Sequence, residues 1–326
     1  MNGVIIIDKP AGWTSHDVVN RMRRVLGQRS VGHLGTLDPL ATGVLPLVTG
    51  SLTRLAQFYT ASDKTYEGVI RFGFATNTYD ADGTPVEAHA GTTAPGCPAP
   101  RDINLETIRQ LAAAFQGVIE QIPPPFSAKK IHGVPAYKLA RKEKEVILKA
   151  VQVEIKEFVI LSVQADRAHF RARVASGTYM RSIAHEMGQR LGPGAHLESL
   201  RRTAVAEFDI TQAHTIEEVE TRVGEVEVGK KVCHSEPGGK PGEEPAAACQ
   251  EGKSALFIHP RQLLPRLPSV TADEATAARI RSGRPINLPE LSRARQVKVF
   301  HGQRDLIAIA TRVAGTLFHP KIVFPG

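Results

Sequence analysis

Cysteine is scarce in this 326-residue sequence: Cys97, Cys233 and Cys249 lie far apart and form no Cys-x-x-Cys pair. A zinc ribbon and a disulfide framework are therefore not expected, and a reducing compartment is the natural setting. Long apolar runs are lacking, and no stretch approaches membrane-spanning length. The opening MNGVIIIDKP carries no basic leader and only a short apolar run, so it does not read as a signal peptide. A cytoplasmic protein without membrane attachment is expected. Acid is sparse near the start: the one carboxylate between Asp17 and Asp63 is Asp38, among Arg21, Arg23, Arg24, Arg29, His33 and Arg54. What the chain has in excess is positive charge, a net +8 with 42% hydrophobic and 23% charged residues. That composition supports a globular core, and the charge favours a polyanionic partner, nucleic acid above all.

The pattern along the chain alternates strands, helices and long turns. Val4 to Ile7 is a β-branched run ending in Asp8-Lys9-Pro10-Ala11-Gly12, a strand and a turn. Ser15 is placed to cap a helix reaching about Gly27, with Val18, Val19, Met22, Val25 and Leu26 at helical spacing. Strands are expected at Val44–Val48, Tyr66–Phe74, Val151–Val163 and His169–Val174, and helices at Asn104–Gln116 and Thr178–Leu191. Residues 76–100 are turn-rich. Gln121–Val146 holds prolines that prevent continuous helix, with Lys129, Lys130, Lys138, Arg141, Lys142 and Lys144 making it a long basic loop. Gly224–Lys253 is rich in Gly, Pro, Glu, Lys and Ala and has no aromatic residue, the composition of a disordered linker. Beyond it, the apolar segments LFI, VKVF, LIAIA and KIVF suggest a small all-β module. The expected division is 1–222, a linker at 223–254, and a module at 255–326.

Three constellations could carry chemistry. Asp38 sits in GHLGTLDPLATGVLPL (Gly32–Leu47). A lone acid in a glycine-rich turn is often only a turn-former. Here Pro39 fixes the backbone after it, and Gly32, Gly35 and Gly43 remove neighbouring bulk, so a ligand could approach. Basic neighbours would keep the carboxylate ionised. The absence of a second local acid points to a single nucleophile rather than an acid/base pair. In SGTYMRSIAHEMGQRLGPGAHLESLRRTAV (Ser176–Val205), Tyr179 and Arg181 flank Met180 at a helix start. His185-Glu186 does not extend to a metalloprotease motif, because position 189 is Gln189. Arg201 and Arg202 read either as a solvated helix end or as phosphate contacts. In Lys64-Thr65-Tyr66 the tyrosine reads either as core or as a stacking platform. His33 reads as structural, a switch or an RNA contact.

Five blocks, GVIIIDKPAGWTSHDVV, VGHLGTLDPLATGVLPL, DKTYEGVIRFGFATNTYDADG, IPPPFSAKKIHGVPAYKLAR and SGTYMRSIAHEMGQRLGPGAHLESLRRTAV, together resemble the bacterial TruB-type tRNA pseudouridine synthases and occur in that family's order. The resemblance covers most of residues 1–220, and the tail from about Ala255 resembles the PUA-like module of many such enzymes. It implies an α+β pseudouridine synthase fold: a mixed, largely antiparallel sheet with flanking helices, plus a small C-terminal β-rich PUA-like module. It implies isomerisation of the uridine at position 55 in the T loop of tRNA, with no metal or organic cofactor and no obligatory protein partner. No long heptad or obvious pairing edge appears in the sequence, so a monomer is expected. By the same resemblance the catalytic residues are Asp38, the nucleophile, Tyr66, which stacks on the flipped base and takes part in proton removal, and Arg181, which holds Asp38 ionised and aimed. Leu200 packs on the base, Tyr179 shapes the pocket and His33 contacts the displaced RNA. Lys9, Lys129, Lys130, Arg201 and Arg202 are carried as substrate-binding positions, Lys9 with Pro10 as part of a supporting motif. The basic loop 121–146 would close over the RNA stem-loop.

Overall fold

The β-branched run near the start forms β1 (Gly3–Lys9). Gly3 to Ile7 are all buried, as expected of a strand covered on both faces. The computed structural model describes residues 2–86, 103–127, 130–131, 134–135, 148–233, 255–291 and 293–325. Within them β1 pairs antiparallel with β3 (Thr42–Thr49), and the short β2 (Val31–His33) pairs with the far half of β3. Next come β4 (Lys64–Phe72), a small hairpin of β5 (Ala75–Thr76) and β6 (Pro85–Val86), then β7 (Gly117–Gln121). A two-residue hairpin, β8 (Lys130–Ile131) and β9 (Val134–Pro135), follows. Then come β10 (Val151–Gln164), β11 (Arg167–Val174), β12 (Ala195–Val205) and β13 (Phe208–Asp209). Nine of these strands form one sheet with the order β1-β3-β12-β4-β11-β10-β7, β2 and β13 pairing at the side. Every pairing in it is antiparallel except β3 with β12. The mixed, largely antiparallel α+β architecture is the one the family resemblance implied.

Helices cover this sheet. α1 (Ser15–Val25) begins with a capping box in which Thr14, not Ser15, accepts from the Asp17 N–H. Ser15 is instead buried, and its hydroxyl has another task described below. α2 (Ala56–Tyr59) is one turn, α3 (Leu105–Ala113) is capped by Asn104, and α4 (Met180–Leu191) follows Tyr179. α5 (Ile216–Cys233) runs past Gly224 into the stretch expected as a linker, because Ile216, Val219 and Val223 bury one face in the main core. The rest of that stretch, 234–254, lies outside the described residues.

The tail is not all-β. Its five-stranded sheet, β14 (Ser269–Ala272), β15 (Ile286–Asn287), β16 (Gln296–His301), β17 (Asp305–Ala314) and β18 (Leu317–Val323), is ordered β14-β16-β17-β18-β15. A helix, α6 (Glu274–Arg281), interrupts it, capped by Asp273 and burying Ala277 and Ile280. The LFI segment joins the other module: Leu256 enters the main core, and the Ile258 N–H donates to Val4 O at 2.8 Å. Leu263, Phe300, Leu306 and Phe324 share one apolar cluster with Val4, Ile6, Val48, Tyr59 and Phe208. At its edge Glu207 Oε1 accepts from the Tyr59 hydroxyl at 2.5 Å and from the Leu264 N–H at 2.9 Å. Buried Lys298 donates to Arg261 O and Leu263 O at 2.9 and 2.7 Å.

Candidate active site

The Asp38 turn lies between β2 and β3 and is tied down from several sides. The Ser15 hydroxyl accepts from the Leu37 N–H at 2.8 Å and lies 3.1 Å from Leu37 O. The Gly12 N–H donates to Pro39 O at 2.9 Å, and the Ala41 N–H closes a turn onto Asp38 O at 3.1 Å. Lys9 has no exposed surface, and its ammonium donates to Pro10 O, Trp13 O and Pro39 O at 2.8, 2.6 and 3.2 Å. Burial lowers its pKa to about 8, against the opposing pull of Asp38. Arg202, equally buried, donates to Val44 O, Thr36 O and Gly35 O at 2.8, 3.1 and 3.0 Å.

These bonds correct two expectations. Lys9 and Arg202 were carried as substrate-binding positions, but neither has surface to offer a phosphate, and both use their donors on backbone carbonyls. Nor is 195–205 a helix end. It is β12, whose alternation puts Arg202 inside and Arg201 outside. Arg201 makes a two-bond pair with Asp8 at 2.7 and 3.1 Å and stays 43% exposed.

Against the turn lies a cavity of about 400 Å³ that brings together Asp38, His33, Tyr66, Tyr179, Arg181 and Leu200. Arg181, on the first turn of α4, is the organiser. Its Nε lies 2.9 Å from Asp38 Oδ2, while the N–H is not aimed at that oxygen. The pair is held by charge rather than by a directed hydrogen bond, and Asp38 keeps 37% of its side chain exposed. The rest of the guanidinium is fixed: Nη1 donates to Thr78 O at 3.1 Å and faces Asp80 Oδ2 at 3.4 Å, and Nη2 donates to Phe126 O at 3.0 Å.

Tyr66 is 8% exposed and lies beside the Arg202 guanidinium on β4. Tyr179 precedes α4 and swaps two bonds with Gln121: its N–H donates to Oε1 at 2.8 Å, and its carbonyl accepts from Nε2 at 3.1 Å. Burial and the nearby Asp38 push its phenol pKa up. His33 is half-buried, burial and Arg202 hold its pKa down, and its Nδ1 is buried with no partner among the described residues. Lys129 lies outside the described residues, as does most of the basic loop, and Lys130 is described only as backbone in β8.

Sequence reasoning missed Asp80, Ser15 and Gln121. Asp80 is 4% exposed, its pKa raised by burial, and Thr78 Oγ1 donates to it at 2.5 Å. In NTYDADG it reads as one more turn-forming acid, and nothing local ties it to Arg181. Among the described residues no group of three or more His, Cys, Asp or Glu side chains could hold a metal ion, and no helix is long and apolar enough to cross a membrane.

Residues 23–180 match the TruB family pseudouridylate synthase N-terminal domain, and residues 181–229 match the tRNA pseudouridylate synthase B C-terminal domain. The tRNA pseudouridine synthase B of Solibacter usitatus is 44% identical over 326 residues, 99% of this chain and 100% of that protein. That of Aquifex aeolicus is 41% identical over 220 residues, 67% of this chain and 73% of that one. Among solved structures, a chain of a Cbf5-Nop10-Gar1 complex superposes with a TM-score of 0.67 at 23% identity, covering 99% of this chain and 85% of that one, and shares the fold. With a full-length relative at this identity and a family domain matched across the Asp38 turn, the chain belongs to the TruB family of pseudouridylate synthases.

Proposed function

We propose that this protein converts the uridine at position 55 in the T loop of tRNA to pseudouridine, acting as a cytoplasmic monomer without metal, organic cofactor or obligatory protein partner. The observation that carries the reading is the Asp38–Arg181 pair on the wall of a cavity large enough for one nucleotide. A base stacked inside a folded loop must be extruded before an enzyme reaches it. Asp38 then attacks the ribose anomeric carbon or carbon 6 of uracil. The nitrogen–carbon glycosidic bond breaks, the uracil turns, carbon 5 bonds to the ribose, the bond to Asp38 breaks with its electron pair returning to the carboxylate, and the proton on carbon 5 passes to water. Nothing is oxidised or reduced.

In this scheme Arg181 aims the carboxylate, and its own three anchors keep it from following the substrate out. Tyr66 offers a ring face to the extruded base, Leu200 packs on it and Tyr179 closes the far side. His33, neutral at the cavity wall, contacts the displaced RNA. Arg201 and the lysines of the basic loop, Lys129 and Lys130 among them, meet phosphates. Residues 255–326 extend the RNA-binding surface.

The test is tritium release from a T-arm hairpin labelled at carbon 5 of the target uridine, with wild type and Asp38→Asn. Release by wild type alone, with hairpin binding retained by the variant, is expected. A guided synthase is the rival reading, since the fold is shared with a chain of an H/ACA RNP bound to a substrate RNA (TM-score 0.67, 21% identity). Release from the naked hairpin, without added RNA or protein, rules out that rival.

A further inference from the structure

Among the described residues three lysines are almost without exposed surface: Lys9, Lys64 and Lys298. An ammonium has three donors, and buried charge persists where it is paired. Lys9 spends its donors on three carbonyls and Lys298 on two. Lys64 is different. Among the described residues its one acceptor is Ser62 O at 2.6 Å, a local contact two residues back along the chain. The neighbouring acid, Asp63, is taken by Lys156 at 3.0 Å and Arg173 at 2.9 Å. Lys64 is therefore a buried cation with donors to spare, and it lines the same cavity as Asp38 and Tyr66.

Its surroundings favour an anion. Arg202 stands close enough for mutual repulsion, and burial together with Arg202 lowers the Lys64 pKa to about 8. A negative group arriving there would relieve both penalties. Strand geometry says which group. Lys64 and Tyr66 lie two residues apart on β4 and are buried on the same face, which sets them about 7 Å apart along the strand. With the tyrosine ring beside the extruded base, a cation one strand repeat away falls at the sugar–phosphate level, not over the base.

We infer that Lys64 binds a backbone phosphate next to the extruded uridine, holding the nucleotide in place while its base lies beside Tyr66. This rests on the proposed RNA-modifying function. Lys64 is a substrate-binding residue here; it takes no part in bond making.

The test is a binding cycle in the Asp38→Asn background, where turnover does not blur the reading. T-arm hairpins carry an uncharged methylphosphonate in place of the phosphodiester on the 5′ or the 3′ side of the target uridine. The proteins are Asp38→Asn alone and with Lys64→Met or Lys64→Gln. The methionine keeps the apolar stem and the glutamine keeps polarity, so one serves if the other does not fold. At one of the two positions, the methylphosphonate is expected to weaken binding roughly tenfold to a hundredfold when Lys64 is present. It should have almost no further effect once Lys64 is replaced. The salt dependence of binding to the unmodified hairpin should also lose about one phosphate's worth of slope. Penalties that multiply independently at both positions would overturn the inference. Tritium release by wild type from the unmodified hairpin reads the function separately: release with independent penalties defeats the role of Lys64 alone, whereas no release defeats the functional reading.

Discussion

Lys9 and Arg202 are both register partners of Gly43, one from each side of β3. The first holds Pro39 O just after Asp38, and the second holds Gly35 O and Thr36 O just before it. Gly43 has a φ of +98°, and a Cβ there would collide with the Arg202 backbone, so the strands close in because this position has no side chain. The Asp38 turn is thus suspended between two buried cations, and its position is set by the sheet.

Arg202→Met removes one of those suspensions and strands Gly35 O, Thr36 O and Val44 O inside the protein. Each unsatisfied buried polar group costs about 1–3 kcal/mol. Urea unfolding is expected to show a loss on the order of 3 kcal/mol or more. A variant as stable as wild type would mean that the turn does not depend on these bonds.

Arg181→Lys keeps the charge beside Asp38 but cannot also reach Thr78 O, Asp80 and Phe126 O, because a lysine lacks the guanidinium fork. Single-turnover conversion of the hairpin is expected to slow by roughly a hundredfold or more, with hairpin affinity nearly unchanged. A rate close to wild type would show that charge alone suffices.

Lys64 also predicts a pH dependence of stability. Its folded pKa is lowered to about 8 by burial and Arg202, opposed by Asp63, whereas an unfolded lysine titrates near about 10.4. Between these values the unfolded chain binds more protons than the folded one, so stability rises with pH. The unfolding free energy of wild type should gain on that of Lys64→Met from about pH 8 to about pH 10. A difference that stays flat across this window would mean that Lys64 ionises as freely as in the unfolded chain.

The sequence made the site's outer members legible and concealed what holds them. Asp38 stood out because acid is so rare around it, and the paired β10 and β11 were plain from alternation. The partition of Arg201 from Arg202 was not plain. Adjacent arginines look alike until the period-2 geometry of β12 sends one to solvent and the other to the interior. Asp80 was hidden because a turn-forming aspartate and a buried partner of Arg181 have the same local sequence. Ser15 was misassigned because Thr14, one residue earlier, has the same capping chemistry. α6 was missed because its eight residues sit among apolar runs that read as strand.

The connection between the two modules carries a consequence for how the polypeptide could be divided. Leu256, Ile258 and Leu263 are seated in the first module, and Glu207 and Tyr59 grip the backbone at Leu264. The tail residues in these contacts all lie on the C-terminal side of residue 254, and their partners all lie before residue 234. A chain severed between 234 and 254 would lose none of them, and two separately made fragments, 1–233 and 255–326, would carry complementary surfaces able to reconstitute the whole by association.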